Sequence, residues 1–399
     1  MNINNQIMNF YEFPTIHHIS EVLPHIENYE EFRVLDKDDY KIVRYMVNTG
    51  ATFDWCDNDP LGSAVRRECR GLAFNLKGEL ISRPFHKFFN CGEREETQSK
   101  LIDLSLSHYI THKLDGSMIR PLPLNGDYVL ATKSGVTDVS MNAHEFIKDK
   151  PEYDSFIRDM ITAGFTPMFE WTSRKNRIVI DYKEDNLIVI GVRNIIKGNY
   201  LLHDNIKELV EDYGVPCVEM IPSFSDIEDA IDHVAPLMND EGVVIQFLSG
   251  HMLKIKADDY VLRHRSKDQI TQEKNVISTI LSEGVDDLIP LLTSEDSEKI
   301  LSFQSRFYEE VDKTVSGMEI IFETGNKTYP DRKDFSLNYV KRHFSPSVAS
   351  ILFAMKSGTS ARDFILNMIQ KSCVSQTKID ENRWLFGYLC WNDFLCVEN

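Results

Sequence analysis

The hydrophobic pattern changes period once along this 399-residue chain, and that change constrains the fold more than any single motif. Up to about residue 260 the apolar residues come in short runs rich in Val and Ile, the mark of β-strands. EEFRVLDKDDYKIVRYMVNTG (30–50) alternates around a charged turn and reads as a hairpin, and GLAFNLKGELISRPF (71–85) repeats the pattern with Lys77 and Gly78 at its turn. DYVLATKSG, RIVIDY, NLIVIGVRN, GVVIQFL and HMLKIKA read as further strands, with helices over 144–164 and 203–214 between them. After about residue 265 the apolar residues step by three and four between Gly, Ser and Pro, which is helical spacing. SEDSEKI opens one such helix with Ser and acidic residues in its first turn. The expectation is an α+β chain in two domains, 1–265 and 266–399, with the boundary near 262–272 and an all-helical second domain.

Composition narrows the class. Hydrophobic residues at 42% supply a sizeable core, so a mainly disordered chain is excluded. No run reaches the roughly 18 apolar residues of a membrane span, and the start lacks a basic segment followed by an apolar one. The reading is an intracellular, cytoplasmic protein without membrane attachment. The seven cysteines, Cys56, Cys69, Cys91, Cys217, Cys373, Cys390 and Cys396, are odd in number and contain no CxxC, which argues against a disulfide framework or a zinc site. A formal charge of −18 argues against a chain coated all over in nucleic acid.

The chemistry concentrates at His112-Lys113-Leu114-Asp115-Gly116-Ser117, a Lys-x-Asp-Gly sequence that is weak alone. Upstream stand Glu68-Cys69-Arg70-Gly71 and Arg83-Pro84-Phe85-His86-Lys87-Phe88-Phe89-Asn90. Downstream stand Lys133-Ser134-Gly135, Phe169-Glu170-Trp171, Asn176-Arg177-Ile178-Val179, Glu241-Gly242-Val243-Val244 and Lys254-Ile255-Lys256. Lys254 and Lys256 are two apart on an expected strand and so share a face. Glu170, among Met168, Phe169 and Trp171, must pair internally or accept hydrogen bonds from a ligand.

In this order the set resembles the nucleotidyltransferase series of ATP-dependent ligases and RNA capping enzymes, and most closely the phage-type RNA ligase 1 family. The resemblance covers roughly residues 30–265. It implies an antiparallel-sheet nucleotidyltransferase (ATP-grasp-like ligase) domain. It implies an ATP-dependent RNA ligase that joins 5′-phosphate and 3′-hydroxyl RNA ends through lysyl-AMP and adenylylated RNA, in RNA or tRNA repair during phage infection. By the same resemblance Lys113 is the nucleophile, and Glu241 holds Mg²⁺ or Mn²⁺ at the phosphates. Lys254 and Lys256 grip the α-phosphate, and Glu170 binds the ribose hydroxyls. Arg70, Lys87 and Lys133 contact ATP, and Phe169 and Val243 are candidates for the two faces of adenine. A lysine amine attacks phosphorus only when neutral, against an ordinary pKa of about 10.4. Burial, Lys254 and Lys256 nearby, and a bound Mg²⁺ all depress that value. Asp115 and Gly116 shape the turn that presents Lys113, with Gly116 allowing the backbone close to the nucleotide.

Two rivals remain at this point: a catalytically inactive RNA-end binding protein on the same fold, and an ATP-dependent DNA ligase. DNA ligases and capping enzymes append a β-barrel after the lysine pair, whereas helical periodicity follows Lys256 here. No P-loop occurs, so a separate kinase or phosphatase must heal the ends before a monomeric ligase seals them. Arg174, Lys175 and Arg177 form a basic cluster suited to RNA or phosphate. In 328–347, Arg332, Lys333, Lys341 and Arg342 mingle with Tyr329, Tyr339 and Phe344, a mixture suited to phosphate contact and base stacking on a cut tRNA. Residues 254–267 carry five Lys or Arg against two Asp. The charge then implies one basic cleft in an acidic body.

Overall fold

The computed structural model describes residues 13–49 and 51–395. The first 12 residues of the start read above for a leader, Gly50 and Cys396 lie outside them. The chain divides into two compact units, Met1–Val261 and Leu262–Asn399. Among the described residues no helix is long and apolar enough to cross a membrane, and Cys56, Cys69, Cys91, Cys217, Cys373 and Cys390 are free thiols.

Among the described residues the first unit holds thirteen strands. They are β1 (Phe32–Asp36), β2 (Tyr40–Tyr45), β3 (Arg70–Asn75), β4 (Leu80–Ser82), β5 (Phe89–Asn90), β6 (His108–His112) and β7 (Ser117–Leu124). The rest are β8 (Asp127–Ala131), β9 (Phe165–Thr172), β10 (Asn186–Asn194), β11 (Met220–Ile221), β12 (Gly242–Phe247) and β13 (Met252–Lys256). They form three sheets, in the orders β1-β2-β3-β4, β10-β9-β7-β8 and β11-β6-β12-β13-β5. Pairing is antiparallel except for the short parallel pair β13–β5, so the α+β reading holds. Both expected hairpins form, β1–β2 around a charged turn and β3–β4 around Lys77 and Gly78.

Two expectations are corrected. RIVIDY is irregular rather than a strand, because the Val179 and Ile180 N–H groups donate to the Asp115 carboxylate at 2.8 and 2.7 Å instead of to a neighbouring strand. The single helix expected over 144–164 is two helices, following α1 (Pro60–Glu68) in the chain as α2 (Asp138–Ile147) and α3 (Pro151–Thr162). Pro151 lacks an N–H and disfavours helical backbone at Lys150, so it ends one helix and starts the next.

Helices back two of the sheets. α2, α3 and α4 (His203–Tyr213) cover Ile119, Phe169, Trp171, Leu187 and Val189 of the second sheet. α5 (Ile227–Val234) covers Ile110, Val243, Ile245, Leu253 and Ile255 of the third. The residues between these in sequence therefore face away from the helices.

In the second unit the helix α6 (Asp258–Ile270), which carries the division between units, is followed by α7 (Glu273–Leu281) and the 35-residue α8 (Ser294–Thr328). α8 buries Ile300, Phe303, Phe307, Val311, Val315 and Met318, a stripe at three- and four-residue steps. Its cap is Thr293, one residue before the expected Ser, whose Oγ1 accepts from the Asp296 N–H at 3.0 Å. Tyr329, Tyr339 and Phe344 pack together around buried Phe335, with the Tyr339 ring 5.6 Å from it. These three rings are half-buried against that core, whereas Arg332, Lys333, Lys341 and Arg342 are exposed.

Candidate active site

The faces of the second and third sheets turned away from α2, α3 and α5, together with His203 and Ile206 at the start of α4, enclose a cavity of about 270 Å³ within the first unit. Strand alternation determines what it sees. From β6 and β12 come Tyr109, Thr111, Val244 and Gln246, and from β7, β9 and β10 come Met118, Glu170 and Ile190. Arg70 and Lys113 also line it.

Lys113 leaves the end of β6, its N–H donating to the Gly242 carbonyl at 2.8 Å. That bond puts the lysine beside Glu241, the residue before β12. Lys113 Nζ lies 2.8 Å from Glu241 Oε2, and Lys256 Nζ lies 2.9 Å from Oε1. Burial pushes the Glu241 carboxyl up, but Lys113 and Lys256 outweigh it and hold the group below the usual range. Gly242 has φ +127°, and a Cβ there would sit 2.1 Å from the Ile255 carbonyl oxygen, so only glycine lets β12 meet β13 directly behind the carboxylate. Gly116 is also required: a Cβ there would sit 2.4 Å from the Trp171 carbonyl oxygen, and the residue lines the cavity as well.

Asp115 is a strut. Its carboxylate takes the two N–H groups of the 173–185 loop, and its Oδ1 accepts from the Tyr260 hydroxyl at 2.7 Å. Its own N–H donates to the Tyr182 hydroxyl at 2.9 Å. The loop so held to the turn after Lys113 carries exposed Arg174 and Lys175.

Cations gather on one side. Burial presses the Lys254 amine down to about 7, and Lys113, Arg70, Lys256 and Lys87 add to the effect. An incoming phosphate would restore its charge. Arg70 donates from Nη1 to the His86 carbonyl at 3.0 Å. Lys87 lies among the rings of Phe89, Phe53 and Tyr45 at 5.1, 5.4 and 5.9 Å, its amine held below the usual value first by burial and then by Arg70. The Lys133 amine lies 4.1 Å from the centre of the Tyr45 ring. Tyr45 was not anticipated. Burial raises its phenol, yet Arg70, Lys133 and Lys87 together pull it below the usual value. In sequence it is one aromatic at the end of a hairpin strand, and no motif sets it apart.

Eight expected residues thus come together: Arg70, Lys87, Lys113, Lys133, Glu170, Glu241, Lys254 and Lys256. Phe169 and Val243 do not. Phe169 is fully buried against Tyr153 and Phe156, on the face of β9 opposite Glu170. Val243 packs under α5. The cavity positions are one residue over, at Val244 and, across from Glu170, Met118. For a metal, no group of three or more His, Cys, Asp or Glu among the described residues is placed to form a cage. A single carboxylate such as Glu241 fits Mg²⁺, which keeps several waters and takes substrate phosphates as ligands.

Burial raises the Glu170 carboxyl to about 8; Lys113 opposes this, and Glu241 and Asp115 add to it. The folded protein therefore binds a proton here that the unfolded chain releases near pH 4.5. Stability from this group is complete below about pH 4.5 and is lost as pH rises through about 8. Glu170→Gln, which cannot ionise, is expected to raise the melting temperature of the ligand-free protein at pH 9 and to leave it unchanged at pH 4.5. Equal melting at both pH values would show that Glu170 is not a buried acid.

A sequence model of a family described as RNA ligase matches residues 68–267. A protein described as "Putative RNA ligase" from Thermovibrio ammonificans is 26% identical over 361 residues, 86% of this chain and 91% of that protein. A "Putative bifunctional polynucleotide kinase/RNA ligase" of Autographa californica nuclear polyhedrosis virus is 27% identical over 246 residues, 56% of this chain and 34% of that protein. RNA ligase 1 of bacteriophage TS2126 is 25% identical over 146 residues, 34% of this chain and 36% of that protein.

Proposed function

The chain belongs to the RNA ligase family, whose match spans 200 of its 399 residues, and from that premise we propose that the cavity takes ATP and the cations beside it take the phosphates of ATP and of an RNA 5′ end. The enzyme joins RNA ends with ATP. What supports this use of the site is the convergence of Lys113, Glu241 and Lys256 at ion-pair distance beside a cavity also lined by Arg70 and Glu170.

The reaction runs in three displacements. The Lys113 amine, having lost a proton and parted from Glu241, attacks the α-phosphorus of ATP; a P–N bond forms and pyrophosphate leaves with the P–O electron pair. Lys254 and Lys256 take the α-phosphate oxygens, and Arg70, Lys87 and Lys133 the outer phosphates. Glu170 accepts from the ribose hydroxyls. Glu241, released by Lys113, would hold a divalent cation, which supplies positive charge against the charge developing on the phosphates. An RNA 5′-phosphate oxygen next attacks the AMP phosphorus, the P–N bond breaks, and Lys113 regains its proton. The RNA 3′-hydroxyl finally attacks the activated 5′-phosphate, and AMP leaves. Positioning and fixed charge carry this last step.

We read the enzyme further as a monomer of the host cytoplasm. It relies on a separate kinase or phosphatase to supply 5′-phosphate and 3′-hydroxyl ends. The second unit, with Arg332, Lys333, Lys341 and Arg342 exposed, engages the substrate RNA. A ligation panel tests the reading: 5′-phosphate single-stranded RNA, a tRNA cut in its anticodon loop, and nicked duplex DNA, each with ATP and Mg²⁺. RNA ends are expected to join, and binding to weaken as salt rises. Sealing of nicked DNA in preference to RNA would sink the RNA reading, and absence of any adenylylated enzyme would favour an inactive end-binding protein.

A further inference from the structure

We propose that Gln246 selects the base of the nucleotide, recognising adenine through its 6-amino group and an adjacent ring nitrogen. The inference rests on the reading of the cavity as an ATP site. Gln246 lies on β12 four residues beyond Gly242, so it stands about 13 Å along the strand from the end that holds Lys113, Glu241 and Lys256. If the phosphates sit at that end, the base reaches this one.

In register, Gln246 is flanked by Tyr109 on β6 and Met252 on β13, and all three line the cavity. The surroundings are otherwise mostly apolar: Met118, Ile190, Ile206 and Val218. His203 also lines this cavity, but its Nε2 is committed to the Val218 carbonyl at 3.0 Å. Gln246 is 8% exposed, and its side-chain amide makes no hydrogen bond to any described residue. The amide opens on the cavity, where a ligand can supply its hydrogen-bond partners. The amide offers a carbonyl acceptor and an N–H donor side by side. Adenine presents the complement, an amino donor beside a ring-nitrogen acceptor, and this is the pairing through which glutamine distinguishes adenine from other bases.

The test measures lysyl-nucleotide formation as kcat/KM with ATP, GTP and purine riboside 5′-triphosphate, which lacks the 6-amino group. Wild type, Gln246→Leu and Gln246→Glu are compared. Wild type is expected to favour ATP over the purine analogue by about tenfold to a hundredfold. Gln246→Leu brings that ratio close to one, chiefly by raising KM for ATP. Gln246→Glu, nearly the same shape and able to accept from the amino group but not to donate, gives an intermediate ratio and carries the test if the leucine variant unfolds. A purely structural role would depress both nucleotides equally and leave the ratio at its wild-type value, which would overturn the proposal, as would equal labelling of wild type by GTP and ATP. A wild-type enzyme that forms no adduct with any nucleotide would instead overturn the ATP reading on which the proposal stands.

Discussion

Lys113→Ala is expected to lose the covalent AMP adduct that the wild-type enzyme forms with ATP and Mg²⁺, by at least about three orders of magnitude. Lys254→Ala should slow adduct formation about 10²- to 10³-fold, the cost of removing one group that stabilises the transition state, and leave the adduct on Lys113. The comparison decides something that charge alone would decide the other way. Burial, with Lys113, Arg70, Lys256 and Lys87 adding to it, presses the Lys254 amine down to about 7, so a neutral amine is available there near physiological pH. Lys113 in the ligand-free protein is instead paired with Glu241 at 2.8 Å. Position favours Lys113. It leaves β6 at the cavity, and its carboxylate partner Glu241 is suited to a divalent cation, so the arrival of nucleotide and metal would free the amine where it is needed. Lys254 stays on its strand between Arg70 and Lys256, where a phosphate oxygen rather than a phosphorus would meet it. Radiolabelled ATP, a denaturing gel and peptide mapping check the assignment. An adduct that survives Lys113→Ala and disappears in Lys254→Ala would move the nucleophile to Lys254.

Strand period and motif order carried much of this site into view from sequence. Lys254 and Lys256 share a face because strands alternate, and the same rule brings Val244 and Gln246 into the cavity beside them. The same alternation is where the reading failed. Phe169 and Val243 stand next to cavity residues in the chain, but nothing in a short apolar run says which of its two faces a helix will cover. That is set by how α3 and α5, each only a few residues before the strand it covers, fold back onto one face of it. RIVIDY failed for a related reason. Its Val and Ile favour a strand, but a carboxylate 64 and 65 residues earlier offers its N–H groups a stronger, charge-assisted acceptor than a ladder would. Tyr45 was invisible because its role comes from three cations that converge on it from separate parts of the chain.

The run Glu68-Cys69-Arg70 pairs two residues with opposite duties, and the second large effect is expected from the one that never meets substrate. Arg70 turns toward the cavity, whereas Glu68 is 1% exposed at the end of α1 and holds two guanidiniums that are wholly buried. Its Oε1 lies 2.7 Å from Arg193 Nη2 and 2.9 Å from Arg83 Nη2, and its Oε2 accepts from Arg193 Nη1 at 2.8 Å and Arg83 Nε at 3.0 Å. Both arginines then reach backbone: Arg83 donates to the Pro14 and Ile196 carbonyls, and Arg193 to those of Gly198 and Pro84. Burial raises the Glu68 carboxyl, but Arg193 and Arg83 outweigh that and hold it down at about 2. Its contribution is therefore complete above about pH 4.5 and is lost as pH falls toward 2. Glu68→Gln keeps the shape and removes the charge, leaving two cations facing each other without water. The expected cost is about 3–5 kcal/mol, seen as a fall of roughly 10 °C in melting temperature at pH 7. Glu145→Gln, which breaks an exposed pair with Lys148 at 3.1 Å, should stay within about 0.5 kcal/mol of wild type. Replacing Glu68, Arg83 and Arg193 together by methionine should cost less than Glu68→Gln alone, since no buried charge is then left unpaired. If the single substitution melts with wild type, the triad does not hold the first unit together. If the triple variant is the worse of the two, the backbone carbonyls that the arginines serve matter more than the charge they share.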